Sequence, residues 1–357
     1  MAVTLLLCGS GASRIGIRSS ALAELCACLH SVDELEHHPA SWPWSEFFET
    51  VLDGRLAAEG GAFAPLWGPF RARYLLPLTD HSQRELDDEL RDIERLPLPE
   101  FLAMSAQALV GKNTQDPLHR LVDDAALRKR FMARFRLISA RHHQLASRLF
   151  ADAEQLRADL LGFLRAVADT AFAPEWGKLR PVINAEVRHK VHTRNQLGDR
   201  VLADFPIATL LEDPPRVVFD KLYPASASVH ESPCLLVPSV HGNPHTVIKH
   251  YTGFPIVVQY PITRGAEISL EVMRKRLAVL TDPVRIKLCQ DILRNAASTT
   301  DLALRLDMTA PQVSRHLRKL REAGLVHGHR DGAVVRYQLD VEAVRRLGLD
   351  FIQALQR

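Results

Sequence analysis

The 357-residue sequence lacks a long hydrophobic run, because no window approaches the roughly 18 uncharged apolar residues of a membrane-spanning helix. The apolar run Val3–Cys8 has no basic residue before it, while Arg14 and Arg18 follow it, so we interpret it as a first strand or a frayed end and not as a secretory signal. The five cysteines are an odd number without a Cys-x-x-Cys pair, which favours free thiols. These absences predict a cytoplasmic protein that does not contact a membrane.

Catalytic and nucleotide-binding fingerprints are also absent. Neither G-x-S-x-G nor H-E-x-x-H occurs, and Gly9-Ser10-Gly11 lacks the lysine of a phosphate-binding loop. We therefore expect no enzymatic activity and no cofactor. A second interpretation stays open, in which the N-terminal part is an enzyme or a small-molecule-binding domain and the C-terminal part is a docking or regulatory module.

Residues that could bind a metal ion are poorly spaced. Cys26 and Cys28 would point 200° apart on a helix, and we interpret them as core thiols. His241, His245 and His250 occupy a loop-and-strand region without a supporting cysteine or carboxylate spacing. The sequence predicts no metal site.

The charge is unevenly distributed along the chain. Residues 264–357 contain 17 Lys+Arg and 11 Asp+Glu, whereas the preceding 263 residues contain 28 and 31. A small basic module attached to a larger, slightly acidic body is typical of a regulator with a separate DNA-reading domain. We predict two domains, 1–263 and 264–357.

The hydrophobic pattern predicts an α+β protein. Residues 19–211 are mostly helical, with an exposed amphipathic helix over 80–95 and a break between two helices at Ala151–Ala153. After Pro214 the chain forms a short β-rich tail, in which β-branched and aromatic runs alternate with Pro and Gly. The predicted strands of this tail are 217–223, 234–237, 246–251 and 256–260.

The C-terminal segment has the strongest local signals. Asp282-Pro283 predicts the start of a helix, and Ser298 with Asp301 predicts the cap of a short second helix. Asp307 lies in a tight turn, and Thr309 with Gln312 opens a third helix that reaches about Ala323. A helix, a short turn and a helix with a basic outer face are typical of a helix-turn-helix, in which the second helix enters the major groove of DNA.

The third helix predicts most of the DNA-binding residues. Arg315 is expected to contact guanine, Gln312 to contact adenine, and Arg318 and Lys319 to bind phosphates. After it, two β-like runs around Asp331-Gly332 predict a hairpin with a type I′ turn, which is the wing. The predicted DNA-binding residues are Thr309, Gln312, Ser314, Arg315, Arg318, Lys319, Arg330 and Arg336.

These residues carry a family resemblance. L-x-D-P-x-R from Leu280, V-S-R-H-L-x-x-L from Val313 and E-A-G-L-V from Glu322 resemble the winged helix of the ArsR (arsenic-resistance repressor) family. The resemblance implies a homodimeric repressor that leaves its operator when a signal arrives. Residues 14–262 more loosely resemble an uncharacterised region that precedes such winged helices in some bacterial regulators, through Arg14–Ser20 and Leu235–Ser239.

The sequence also departs from the family pattern. Asp307 replaces a turn glycine, and Thr300–Ala303 lack the C-x-C of the metal-sensing members; residues 340–357 contain no His or Cys. The wing has Ala333 and Val334 where a basic pair is common, so we expect a weaker contact of the wing with DNA. Metal sensing by this domain is therefore not expected.

The expected partners are operator DNA, a second copy of the chain and a small-molecule effector, with the protein associated with the nucleoid. Trp44 and Phe48 belong to an aromatic cluster that fits either a core or the lining of an effector pocket. Apolar stripes on both sides of the winged helix predict dimer contacts, although packing within one chain is the alternative. These stripes are Leu270, Met273 and Leu277, then Val341, Val344, Leu347, Phe351 and Leu355.

Overall fold

The computed structural model of the chain describes residues 2–7, 11–35, 38, 42–81, 84–111, 118–221, 223–262, 270–294, 296–331, 334–341, 343–344, 347–348 and 351, with the side chains at 42, 43, 270–272, 294, 330, 331 and 334 outside that description. The chain divides into two compact units, Met1–Thr263 and Arg264–Arg357. Helices and sheets both contribute, which confirms the α+β class. None of the described helices is long and apolar enough to cross a lipid bilayer.

The first unit is mainly helical. Its first helix begins where the Ser20 hydroxyl accepts a hydrogen bond from the Ala23 amide, and every residue from Ala21 to Ser31 is buried. The predicted break at Ala151–Ala153 is present, and an unpredicted break lies at Ser139, whose hydroxyl caps the next helix. The helices are α1 Ala21–Asp33, α2 Trp42–Val51, α3 Gly54–Phe63, α4 Leu86–Arg95, α5 Leu98–Val110, α6 Ala125–Ile138, α7 Ala140–Ala151, α8 Ala153–Val167 and α9 Ala173–Leu197.

One prediction for these helices is confirmed in part. The amphipathic helix expected over 80–95 begins only at Leu86, and its outer face is exposed while its apolar face is buried. Leu90 and Ile93 are fully buried, and the carboxylate of Glu89 is buried in an ion pair with Arg18. The sequence pattern missed this because the charge that Glu89 pairs with lies 71 residues away.

Two four-stranded sheets complete the first unit. Their strands are β1 Ala2–Leu6, β2 Ile15–Ile17, β3 Ala208–Glu212, β4 Pro215–Asp220, β5 Ala225–Ser228, β6 Cys234–Ser239, β7 Val247–Lys249 and β8 Ile256–Pro261. The strand order in one sheet is β3-β4-β1-β5 and in the other β2-β6-β8-β7. The run at the N-terminus is thus the strand β1, and it lies inside its sheet, antiparallel to β4 and parallel to β5.

The second sheet is covered on both faces. Leu236 and Val258 join an apolar cluster that also contains residues of the first sheet, while Leu235 and Val257 pack with Ala23 of α1. This explains why β6 is buried along its whole length and reads as a continuous apolar run. The sequence predicted β4, β6, β7 and β8 and allowed β1 as one of two interpretations, but it missed β2, β3 and β5, which are short or begin close to a preceding helix.

The second unit is a winged helix. Helices α10 Leu270–Leu280, α11 Pro283–Arg294, α12 Thr299–Arg305 and α13 Ala310–Glu322 pack around one apolar cluster. Strands β9 Ala297–Ser298, β10 Val326–Asp331 and β11 Val334–Leu339 form a sheet of order β10-β11-β9. Fully buried members of the cluster are Leu288, Ile292, Leu302, Val313, Leu317, Leu320 and Leu325.

Candidate nucleic-acid interface

The caps predicted for the three helices of the reading module are present. The Asp282 carboxylate accepts hydrogen bonds from the amides of Val284 (2.9 Å) and Arg285 (3.2 Å) at the start of α11. Ser298 and Asp301 form a reciprocal capping box on α12, and this hydrogen bonding with Ser298 lowers the pKa of Asp301. These caps fix where each helix begins, and therefore the direction in which it presents its side chains.

The turn between α12 and α13 depends on Asp307. This residue has φ 54°, the left-handed conformation that Asp tolerates better than most residues. The Met308 amide donates to the Ala303 carbonyl at 2.9 Å, and the Thr309 amide donates to Oε1 of Gln312 at 2.9 Å. The turn therefore forms without the glycine that is usual at this position, as the sequence predicted.

Helix α13 separates its apolar and polar residues cleanly. Val313, Leu317 and Leu320 are fully buried and attach the helix to the core of the unit. The opposite face is open to solvent. Every predicted DNA-binding residue of this segment is exposed: Thr309, Gln312, Ser314, Arg315, Arg318 and Lys319.

The exposed cations differ in their partners. Arg318 lies 3.8 Å from the carboxylate of Glu322, one turn later on α13. Among the residues that the structure describes, the side chains of Arg315 and Lys319 make no ion pair or hydrogen bond. Two cations on this face are thus available to an external anion without breaking an internal contact.

The hairpin after α13 has its predicted strands but a different connection. Asp331 pairs with Val334, so the two connecting residues are 332 and 333 and not Asp331-Gly332. The prediction was wrong by one residue because Asp331 extends the first strand; the turn type lies outside the described residues. Arg336 is exposed on β11, 3.9 Å from the Asp301 carboxylate, and the side chain of Arg330 lies outside the description.

Two residues of the motifs that carry the family resemblance have structural roles that sequence reasoning missed. Arg285 is buried, and its guanidinium donates to the carbonyls of Ala278 and Val279, which closes the end of α10. Gly324 has φ 67°, and the amide of Leu325 after it donates to the Leu320 carbonyl at 2.9 Å. The sequence offered a signal for each residue. Arg285 lies two residues after Pro283, and Gly324 lies just after the end of α13.

The flanking apolar stripes are used mostly within the chain. Met273 is fully buried, and Val344 and Leu347 pack against the apolar cluster of the winged helix. For Val344 and Leu347 this favours the alternative of packing within one chain, and the dimer contact stays a prediction. Leu277 and Val341 remain 38% and 37% exposed; Leu355 and the side chain of Leu270 lie outside the described residues.

The first unit contains one grouping that the sequence did not predict. Ligand atoms of Glu24, Cys28 and His241 lie within 4.8 Å of one another, a geometry that could hold a metal ion. The Glu24 carboxylate already accepts hydrogen bonds from the Ser239 hydroxyl and from the amides of Val240 and His241, so it joins α1 to the loop after β6. Cys26 is buried in the apolar core, as predicted.

The aromatic cluster near residue 44 belongs to the core. The Trp44 and Phe48 rings are buried, with their centroids 5.4 Å apart, and both join the large helical cluster. In the described part of the chain these rings pack in the core, which favours the core interpretation over an effector pocket.

Comparison with known proteins separates the two units. Residues 280–329 match a helix-turn-helix domain family, and residues 1–266 match a family of unknown function, DUF5937. The HTH-type transcriptional regulator KmtR of Mycobacterium tuberculosis is 38% identical over 74 residues, which are 21% of this chain and 57% of KmtR.

Two further relatives are named as repressors. The biofilm growth-associated repressor of Agrobacterium fabrum is 33% identical over 97 residues, covering 25% of this chain and 82% of that protein. The probable mercury resistance operon repressor of Streptomyces lividans is 38% identical over 60 residues, covering 17% and 48%. This chain thus spans about half the length of the first and third of these relatives, and it has a large first unit beside the matched segment.

Proposed function

We propose that this chain, which belongs to the DUF5937 family and carries an ArsR-type helix-turn-helix domain at residues 280–329, is a DNA-binding transcriptional regulator that acts as a homodimeric repressor. The observation that carries the proposal is the outer face of α13, where Arg315 and Lys319 are exposed without internal partners on a helix anchored by Val313 and Leu317. The names of the relatives as regulators and repressors support it.

Each exposed residue of α13 has a proposed role in the major groove. Arg315 reads a guanine through two parallel hydrogen bonds, while Arg318, Lys319 and Ser314 bind phosphates. Gln312 has its oxygen engaged by Thr309, so it contacts adenine through its amide N–H groups. On the wing, Arg330 and Arg336 contact the neighbouring backbone.

A homodimer would place two such helices on successive turns of the operator. Operators of helix-turn-helix dimers have half-sites about 34–36 Å apart, matching the two-fold symmetry of the protein. Leu277 and Val341 are the exposed apolar residues of the flanking helices that support a contact with a second copy. Sedimentation of the full chain tests this, and a monomer at binding concentrations would exclude the dimer. A regulator of this kind acts in the cytoplasm at the nucleoid.

The test of DNA binding begins with selection of bound fragments from a genomic pool. Affinity for the selected fragment is then compared between the native chain and Arg315→Ala at fixed salt. We expect Arg315→Ala to lose about 1–3 kcal/mol of binding free energy and to relax the preference at one base position. Arg136→Ala, at an exposed arginine of α6, is the control and should bind normally. Equal binding by both variants would contradict the proposal.

The first unit is proposed to bind a small organic effector that changes DNA affinity. A cavity of about 220 Å³ lies within Met1–Thr263 and supports this role over a purely structural one. The effector is sought by repeating the DNA selection with candidate metabolites present.

A further inference from the structure

The cavity in the first unit lies where three strands, one helix and a connecting segment meet. Strands β1 and β5 form one wall, the end of β7 another, and side chains from the segment before α4 and from α5 complete it. An engineered apolar cavity of about 150 Å³ is known to hold benzene, so about 220 Å³ accommodates an organic molecule somewhat larger than one benzene ring.

The lining combines apolar rings with a few polar groups. Phe70 and Tyr223 contribute aromatic surface, with ring centroids 5.5 Å apart. The Tyr223 hydroxyl already donates to the Ile248 carbonyl at 3.0 Å. The remaining polar side chains of the lining are Gln107, Ser226, Lys249 and His250, none of which carries a negative charge.

Lys249 is the unusual member of this lining. Its ammonium lies 5.4 Å from the centroid of the Phe70 ring, and within the described parts of the chain it makes no hydrogen bond or ion pair. The buried Lys190 and the half-buried Lys221 both have polar partners. Lys190 pairs with the Asp204 carboxylate at 2.9 Å, and Lys221 donates to the Thr246 carbonyl. A desolvated cation without a counter-ion is costly unless something else supplies the anion.

The charges that act directly on Lys249 are positive, whereas Glu231 acts on the neighbouring His250 and Glu24 acts on Arg71. Arg71 and Arg73 are buried close enough for their charges to act on Lys249. Arg71 donates to the side-chain oxygen of Gln259, and Arg73 donates to backbone carbonyls, including that of Pro255 at 2.7 Å. No carboxylate forms an ion pair with any of these three cations among the described residues. This interior region therefore attracts an anion.

We propose that the cavity binds a small organic monocarboxylate, whose carboxylate pairs with the ammonium of Lys249 and whose apolar part packs against Phe70 and Tyr223. Gln107 and Ser226 are the neutral donors available to the second carboxylate oxygen. A phosphate ester fits less well, because a dianion would need more donors than one ammonium and two neutral groups provide. This proposal rests on the proposed effector role for its biological meaning, but the binding itself does not depend on DNA.

Proton binding by Lys249 should make the affinity of this site for a carboxylate depend on pH. Desolvation, together with Arg71 and Arg73, lowers the pKa of Lys249 to about 7. Desolvation also lowers the pKa of His250, which is then neutral at pH 7, and burial raises the pKa of Tyr223. A carboxylate binds the protonated lysine, so its affinity should fall about tenfold for each pH unit above 7, and binding at pH 8 should take up a proton.

The experiment is calorimetric titration of the full chain, without DNA, at pH 6, 7 and 8. The probes are benzoate, phenylacetate and hexanoate, each compared with its neutral amide. We expect at least one acid to bind and its amide to bind at least tenfold more weakly. Proton uptake is measured by repeating the titration in buffers of different ionisation enthalpy.

Two variants make the result specific to the cavity. Lys249→Met and Lys249→Gln should lose at least tenfold in acid affinity and should unfold at the same temperature as the native chain or higher, because a desolvated charge is removed. Lys221→Met removes a lysine outside the lining and should bind the acid normally. The proposal is overturned if no acid binds, if the amides bind as well as the acids, or if the Lys249 variants bind like the native chain. Acid binding that leaves DNA affinity unchanged would keep the site and reject only the effector role.

Discussion

Positive charge has opposite environments on the outer face of α13 and inside the unit Met1–Thr263. On α13, Arg315 and Lys319 are fully solvated, so their lack of an internal partner costs little free energy. Inside the first unit, the buried Arg18 has the Glu89 carboxylate at 2.8 Å, and the buried Arg73 has only backbone carbonyls. A solvated cation is stable without an anionic partner, whereas a buried cation needs a partner within the fold or a bound ligand.

Substitutions at the two kinds of site should therefore change different properties of the protein. Removing an exposed cation from α13 should affect DNA binding and leave the free energy of unfolding nearly unchanged. Removing a buried, paired cation should affect the free energy of unfolding first. Lys249 is the intermediate case, because it is enclosed yet unpaired; replacing it should weaken ligand binding and leave the free energy of unfolding unchanged or raise it.

The largest effect is expected for Arg18→Met. This substitution leaves the Glu89 carboxylate buried without its counter-ion, which typically costs about 3–5 kcal/mol of the free energy of unfolding. Burial already raises the pKa of Glu89, so the loss should be larger at pH 8 than at pH 5, where the unpaired carboxyl can take up a proton. Urea denaturation of the full chain measures the change.

The matched control for Arg18 is Arg55→Met. Arg55 pairs with Glu59 at 3.1 Å on the surface of α3, with the arginine side chain 86% exposed. Exposed pairs contribute about 0–1 kcal/mol, so this variant should unfold close to the native chain. Similar losses in the two variants would show that burial does not decide the value of these pairs.

A smaller effect on stability is expected for Glu175→Gln. The hydrogen bond with His241, with a further one from Lys178 at 3.0 Å, lowers the pKa of Glu175 to about 2. A lowered pKa in the folded state stabilises the fold above the unfolded pKa of about 4.5, and this stability is lost as the pH falls toward 2. The native chain should thus lose stability between pH 5 and 2, and Glu175→Gln should lose less over that range. Parallel acid-denaturation curves for the two proteins would refute this assignment.

The two regions also differ in how far the sequence predicts them. The caps at Asp282, Ser298 and Thr309 lie within three residues of the amides they bind, so local patterns predicted α11, α12 and α13 and the solvent-facing residues of the last. The pairing of Arg18 with Glu89 joins residues 71 positions apart. The cavity around Lys249 forms only when β1, α5 and β7 come together in the fold, and the periodicity of a single segment does not predict such an arrangement.

Local patterns failed where tertiary packing decided the outcome. Met273, Val344 and Leu347 have the spacing of an exposed apolar stripe, yet Met273 is buried and the other two pack partly against the apolar cluster of the winged helix. Asp331 has the identity of a turn residue but pairs with Val334 as the end of a strand. In each case the residue type allowed two environments, and contacts formed in the folded chain selected one.

Among the effects on DNA binding, Lys319→Gln should weaken the affinity by a similar factor for every sequence. A phosphate contact carries no base information, and its loss should make the slope of log K against log salt shallower by about 1. Filter binding at several salt concentrations measures the slope. Lys129→Gln, on the exposed surface of α6, should leave the slope unchanged. A change in base preference with an unchanged slope would assign Lys319 to base reading instead.

The smallest effect is expected for Glu322→Gln, and its sign is opposite. Glu322 lies 3.8 Å from Arg318, and both side chains are more than half exposed, so the pair contributes little to stability. Replacing the carboxylate releases Arg318 for a phosphate and removes a charge that repels DNA, which should tighten binding about twofold at low salt and have no effect at high salt. Glu59→Gln, which breaks the exposed Arg55 pair on α3 at the same i, i+4 spacing, serves as the control. Weaker binding of Glu322→Gln would mean that the carboxylate holds Arg318 in its binding position, and the outer face of α13 would then depend on an internal pair, as the buried cations do.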